Sequence, residues 1–174
     1  MIKSNFSGGS YYPLMSIPGY FTKLYVEYKI IDPVFKSPID DQLVLEGNTG
    51  SARYLFYDCY SGWDARTIFY NGSESQITRR GATWPGSGII GMAIDYTVNV
   101  VSFYYDNNLF GSVNINDTFR TVYVNGGGGH LLNVEQRLTR SDCLYPKDGF
   151  PTYVEALNIH AMAKDFKDLP YWYL

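Results

Sequence analysis

The stretch Val98–Ile115, "VNVVSFYYDNNLFGSVNI", is two short apolar runs broken by a polar triplet. Val, Phe, Tyr and Ile fit a pleated, half-buried surface. Asp106, Asn107 and Asn108 separate the runs, and Asp and Asn tolerate the positive φ of a two-residue hairpin turn. The turn centres on Asp106-Asn107 or on Asn107-Asn108. Either way the stretch is a β-hairpin, and the rest of the chain is read outward from it.

Upstream, "IIGMAIDY" (89–96) is a strongly apolar strand. Further back, "FTKLYVEYKII" (21–31) alternates. Leu24, Val26, Tyr28 and Ile30 share one face, and Lys23, Tyr25, Glu27 and Lys29 share the other, as in an antiparallel strand with one wet side. Strand-like runs recur at 42–46, 53–57, 67–70, 119–124 and 131–134, with turn signals such as Gly47-Asn48, Ser61-Gly62 and Asn71-Gly72 between them. Residues 73–88 read as a loop and 1–20 as an extended arm. "YVEALNIHAMAKDF" (153–166) has near-helical apolar spacing. The expectation is an all-β sandwich of two antiparallel sheets with one short C-terminal helix.

Composition narrows the function. Among 174 residues stand 17 Tyr, 10 Phe and 3 Trp, with 18% charged residues and a net charge of −3. No basic stripe marks a nucleic-acid binder, and no apolar run approaches a membrane span. No leader is legible in residues 1–20, so synthesis in a reducing cytoplasm is expected, with Cys59 and Cys143 as free buried thiols.

"GMAIDYTVNVVSFYYDNNLFGS" (91–112) resembles the SPRY domain, a concanavalin-like bent β-sandwich. Ala93-Ile94-Asp95 matches its first strand, Val98-Asn99 the turn, Val101–Tyr104 the second strand, and Gly111 the returning strand. "FTKLYVEYKI" (21–30), "YDCYSGWDARTIFYNG" (57–72) and "TVYVNGGGGHLLNV" (121–134) follow in family order. Asn99 and Asn107 replace family glycines. The ending "NVEQRLTRSDCLYPKDGFPTYVEALN" (133–158) is similar to that of SPRY-like modules in bacteriophage genomes, through Gln136-Arg137, Tyr145-Pro146, Gly149-Phe150 and Leu157-Asn158. The chain divides accordingly into an arm (1–20), a SPRY-like sandwich (21–139) and a C-terminal extension (140–174).

Chemistry-bearing residues are sparse. Neither His130 nor His160 has a sequence-evident nucleophile partner. A glycosidase needs two carboxylates, and Glu27 and Asp95 each stand alone on their strands, so no catalytic residue is assigned and the chain is expected not to be an enzyme. Asp106–Asn108 and Asp40-Asp41 read as turns rather than calcium ligands. "NGGGGH" (125–130) lacks the Lys and Ser/Thr of a phosphate loop. No metal or cofactor is expected. Ligand-binding candidates are Tyr60, Trp63, Asp64, Arg66, Tyr70, Arg79, Arg80 and Trp84, in or beside loops, where aromatic faces stack on sugars or anchor interfaces. Trp63 and Trp84 serve equally well as core plugs.

The ends are apolar and aromatic, unlike loose polar termini. Tyr11, Tyr12, Tyr171, Trp172, Tyr173 and Leu174 are the expected assembly contacts, and the chain reads as a small complete protein. The resemblance implies a phage virion protein, a head-decoration or tail component. It would contact itself or other virion proteins and bind a host-surface glycan or protein through its loops. The alternative is an intracellular adaptor that recognises a peptide.

Overall fold

The computed structural model describes the backbone of residues 2–7, 11–31, 41–47, 53–59, 64–71, 74–83, 87–115, 117–125 and 131–168, and the side chains of 15–29, 45, 47, 88–109, 111–115, 117–123 and 135–163. The strands are β1 (Ile2–Ser7), β2 (Tyr11–Ser16), β3 (Lys23–Ile31), β4 (Asp41–Gly47), β5 (Arg53–Cys59), β6 (Asp64–Asn71), β7 (Glu74–Thr83), β8 (Ser87–Asp95), β9 (Val100–Tyr105), β10 (Asn108–Asn114), β11 (Phe119–Asn125) and β12 (Leu131–Arg137). Among the described residues one helix, α1 (Tyr153–Asp168), follows. Six strands form sheet A in the order β1-β12-β3-β8-β9-β10, and six form sheet B in the order β2-β11-β4-β5-β6-β7. All the pairings are antiparallel.

The β9–β10 hairpin turns on Asp106 (φ 42°) and Asn107 (φ 71°), the two positive angles that a type I′ turn requires. Asp106 also ties the turn to β8. Its Oδ1 accepts from Ile89 N at 2.8 Å, and its own N donates to Ile89 O at 2.8 Å. Asn99 (φ 54°) makes the preceding turn left-handed.

Alternation builds the core. Leu24, Val26 and Tyr28 of β3, Ile90, Met92 and Ile94 of β8, and Val101 and Phe103 of β9 meet Met15, Leu45, Phe119 and Val122 from sheet B. A polar bridge crosses this core. Gln136 on β12 donates to Tyr28 OH at 2.9 Å and to Met15 Sδ of the other sheet at 3.7 Å. Arg120 seals the open end: its guanidinium lies 3.5 Å over Tyr96 and donates to the carbonyls of Pro18, Phe21 and Asp117.

Three readings of the sequence change. Residues 2–7 and 11–16 are strands rather than an arm, β1 beside β12 and β2 beside β11. Residues 74–83, read as loop, are β7, at the edge of sheet B. "ESQITRRGAT" carries one large apolar side chain, Ile77, besides Ala82, and a charged strand without alternation is what an edge tolerates. The third concerns the face of β3 expected to be wet: Tyr25 and Glu27 are 1% and 0% exposed.

Candidate functional site

What covers that face is the chain beyond β12. Residues 139–150 loop out and return, closed by Val154 N donating to Leu138 O at 3.1 Å and Tyr25 N donating to Pro151 O at 2.8 Å. The strap is pinned on Glu27. Oε1 accepts from Leu144 N at 2.6 Å and from Arg137 Nη1 at 3.1 Å; Oε2 accepts from Tyr145 N at 2.9 Å and from Tyr25 OH at 3.3 Å. Arg137 also reaches Glu135 at 3.4 Å, so two carboxylates from adjacent strands share one guanidinium. Cys143 packs with Tyr25 and Ala93, and burial, then the Glu27 charge, pushes its thiol up to about 12. Lys147 lies 4.1 Å over the Tyr104 ring and donates to Asn107 of the hairpin turn. This face is filled by the protein's own chain.

The returning segment starts α1 with the glutamate arm of a capping box. Thr152 is the N-cap, and Glu155 Oε2 accepts from Thr152 N at 2.8 Å and Oγ1 at 3.1 Å. Arg140 clamps Glu155 from the strap at 2.7 and 3.1 Å. Hydrogen bonding from Arg140, then from Thr152, holds the Glu155 carboxyl below its ordinary value. A cleft of about 230 Å³ lies between α1 and the turn before β3, lined by Phe21, Lys23, Pro151 and Ile159 among others. At its mouth Tyr20 stacks on His160, ring centroids 3.7 Å apart. Among the described residues, no group of three His, Cys, Asp or Glu gathers as a metal site.

Sheet B holds the predicted ligand residues that fall within the described backbone. Asp64, Arg66 and Tyr70 lie in β6, and Arg79 and Arg80 in β7, so they stand on strands rather than loops. Arg66 is the cross-strand partner of Arg79, Asp64 of Thr83, and Tyr70 of Ser75. Tyr60, Trp63 and Trp84 lie outside the described residues, as do His130 and 171–174. Tyr11 and Tyr12, expected at an assembly contact, are paired with Asn125 and Val124 of β11.

Register shows a relation that no single strand reveals. Tyr11 pairs with Asn125, Asn125 with Gln42, Gln42 with Asp58, Asp58 with Arg66, and Arg66 with Arg79. One polar row thus crosses all six strands of sheet B. Directly paired residues share a face. Met15, Val122 and Leu45 of the core are paired in register, and the same row continues through positions 54, 69 and 76. Phe69 and Arg66 differ by three positions, so alternation gives the polar row the outer parity. Tyr123, Val44, Leu55, Ile68 and Ile77 form the apolar row beside it, and Tyr123 is 2% exposed.

No family model and no curated protein matches the sequence. Solved structures match the fold. An endo-β-galactosidase from Clostridium perfringens that releases GlcNAcα1-4Gal superposes with a TM-score of 0.51 at 13% identity, over 67% of this chain and 37% of that one. Sheep galectin-11, in complex with glycerol, gives 0.50 at 14%, over 72% and 96%. A GH43 glycoside hydrolase with endo-xylanase and exo-arabinofuranosidase activity gives 0.52 at 10%, over 76% and 34%. The chain thus spans little more than a third of each hydrolase, and the likeness is one of fold: a concanavalin-like, two-sheet jelly-roll sandwich.

The expectation that the chain is not an enzyme is corrected here. Two of these sandwich-bearing neighbours are glycoside hydrolases. The expectation rested on finding no carboxylate pair along any one strand. Neighbouring strands lie only about 4.8 Å apart, so pairs form across them, as Glu27 and Glu135 do around Arg137.

Proposed function

We propose that this chain recognises carbohydrate along the polar row of sheet B. The observation that supports it is the row itself: Tyr11, Asn125, Gln42, Asp58, Arg66 and Arg79 in continuous register. Amide, carboxylate and guanidinium groups are the donors and acceptors that sugar hydroxyls pair with, and tyrosine supplies a ring to stack on. The outer face of sheet A carries the strap over Tyr25, Ala93 and Tyr104, and the polar row lies on the other sheet. A glycan array probed with the full chain tests this. Binding that falls at least tenfold in Gln42→Ala and Asp58→Ala, with unchanged melting, supports the reading; a chain that binds no glycan sinks it. Reducing-sugar release on the same glycans tells recognition from cleavage.

A second reading, a phage virion component of the SPRY type joined to itself or to other virion proteins, draws on α1. Leu157, Ile159 and Met162 are 37%, 59% and 62% exposed, close in sequence to the aromatic residues 171–174. Light scattering of the full chain and of one lacking residues 168–174 decides it. An oligomer lost on deletion supports assembly through this end, and a monomer unchanged by deletion counts against it.

A further inference from the structure

We infer that the strap carries a site of self-modification: Asp148, followed by Gly149, isomerises to isoaspartate in the folded chain and lengthens the strap's turn. Phe150 N donates to Lys147 O at 3.2 Å, which closes a turn with Asp148 and Gly149 as its two central residues. The amide joining the central pair of such a turn takes no part in its closing hydrogen bond. Both residues are exposed. Gly149 has φ 79°, and nothing stands within 4 Å of the position that a Cβ would take. Among the described residues no hydrogen bond holds Gly149 N or the Asp148 carboxylate. The other aspartates with described side chains, Asp95, Asp106, Asp117 and Asp142, are each followed by a residue with a side chain, which hinders attack by its amide. Asp95 also accepts from Thr97 N, and Asp106 from Ile89 N.

The step balances without an oxidant. Gly149 N attacks Asp148 Cγ and closes a five-membered succinimide; the amide proton passes to water and the carboxyl hydroxyl leaves as water. A second water opens the ring. Addition at Cγ restores aspartate. Addition at the main-chain carbonyl carbon of Asp148 breaks its bond to Gly149 N, and the chain then runs through Cβ and Cγ. The isomer thus adds one carbon to the main chain between two anchors of the strap. Lys147 lies over Tyr104 and reaches Asn107. Phe150 has the Lys23 ammonium 5.5 Å from its ring centre, and its carbonyl accepts from Arg140 at 3.1 Å. A longer turn puts these anchors out of step, and the strap is held less firmly.

The test ages the full chain in neutral buffer, folded and, in parallel, unfolded in urea. Electron-transfer fragmentation of the peptide carrying residue 148 tells isoaspartate from aspartate at equal mass. The expected result is isoaspartate at 148 in the folded chain, formed within tenfold of the unfolded rate and at least tenfold faster than at Asp95, Asp106, Asp117 or Asp142. Asp148→Glu, where the same attack needs a larger ring, should form none. The aged parent should lose more of its melting temperature than aged Asp148→Glu. Asn71-Gly72 and Asn125-Gly126 age alike in both chains, so the difference belongs to residue 148. Isoaspartate in the unfolded chain but not in the folded one, or in neither, overturns the inference. Isoaspartate at 148 with equal melting losses in the two chains overturns its effect on the strap.

Discussion

Glu27 shows how much one side chain can hold. Its two oxygens accept from two strap amides, one phenol and one guanidinium while fully buried. Removing one partner of a buried ion pair strands the other, which costs about 3–5 kcal/mol. Glu27→Gln is therefore expected to lose at least about 3 kcal/mol in urea unfolding, with Arg137 left only its longer contact to Glu135. Gly91 supports the same cluster from β8, because a Cβ there would run into Tyr25 OH. Gly91→Ala should cost about 1–3 kcal/mol by the same measurement. The Cys143 thiol, pushed up to about 12 by burial, stays protonated at pH 8. In a Cys59→Ser background, a thiol reagent at pH 8 should label the protein only after denaturant is added. Alternation in "KLYVEYK" correctly separates Glu27 from Val26 and Tyr28. It identifies which residues share a face, and nothing local to β3 tells what lies on that face, because the partners come more than 100 residues later.

At the scale of the element, α1 is the most self-contained piece, and its signals were local. The pattern Thr152-x-x-Glu155 is the capping-box spacing, legible in sequence, and the helix begins where Glu155 reaches back to Thr152. Thr152→Ala should cost about 1 kcal/mol in thermal unfolding. The Glu155 carboxyl is held low in the folded state, so its contribution is present above the unfolded value and lost as pH falls through the folded one. Glu155→Gln should melt below the parent at pH 7, and the gap should close on acidification below about 4.3. The β9–β10 hairpin was equally legible, since Asn and Asp mark positive φ. Asn99→Val, a β-branched residue at φ 54°, should destabilise by about 1–2 kcal/mol in urea unfolding. The edge strands were not legible: β7 has two apolar residues, Ile77 and Ala82, and β1 has two, Ile2 and Phe6. Their state is set by the neighbour they pair with rather than by their own pattern.

For the whole molecule, the sandwich followed from strand number and spacing, but the candidate site did not. Arg66 and Arg79 were singled out by type, whereas Gln42, Asp58 and Asn125 carry no signal until register lines them up. Bulges shift that register at Leu43/Val44, Leu55/Asp58 and Asp64/Arg66, so counting along the strands would misalign the row. The strap has a global role as well. A chain ending at residue 138 would bare Tyr25, Ala93 and Tyr104 on sheet A. It should bind a hydrophobic dye strongly and unfold at lower temperature than the full chain.

The partnership of β1 with β12 sets a timetable for synthesis. Ile2 lies opposite Gln136, and Tyr11 opposite Asn125. At about 5–20 residues/s a ribosome needs roughly 7–27 s to deliver Gln136 after Ile2. For that interval the first two strands are made and have no mates, so the nascent chain must wait with two open backbone edges until its last strands emerge.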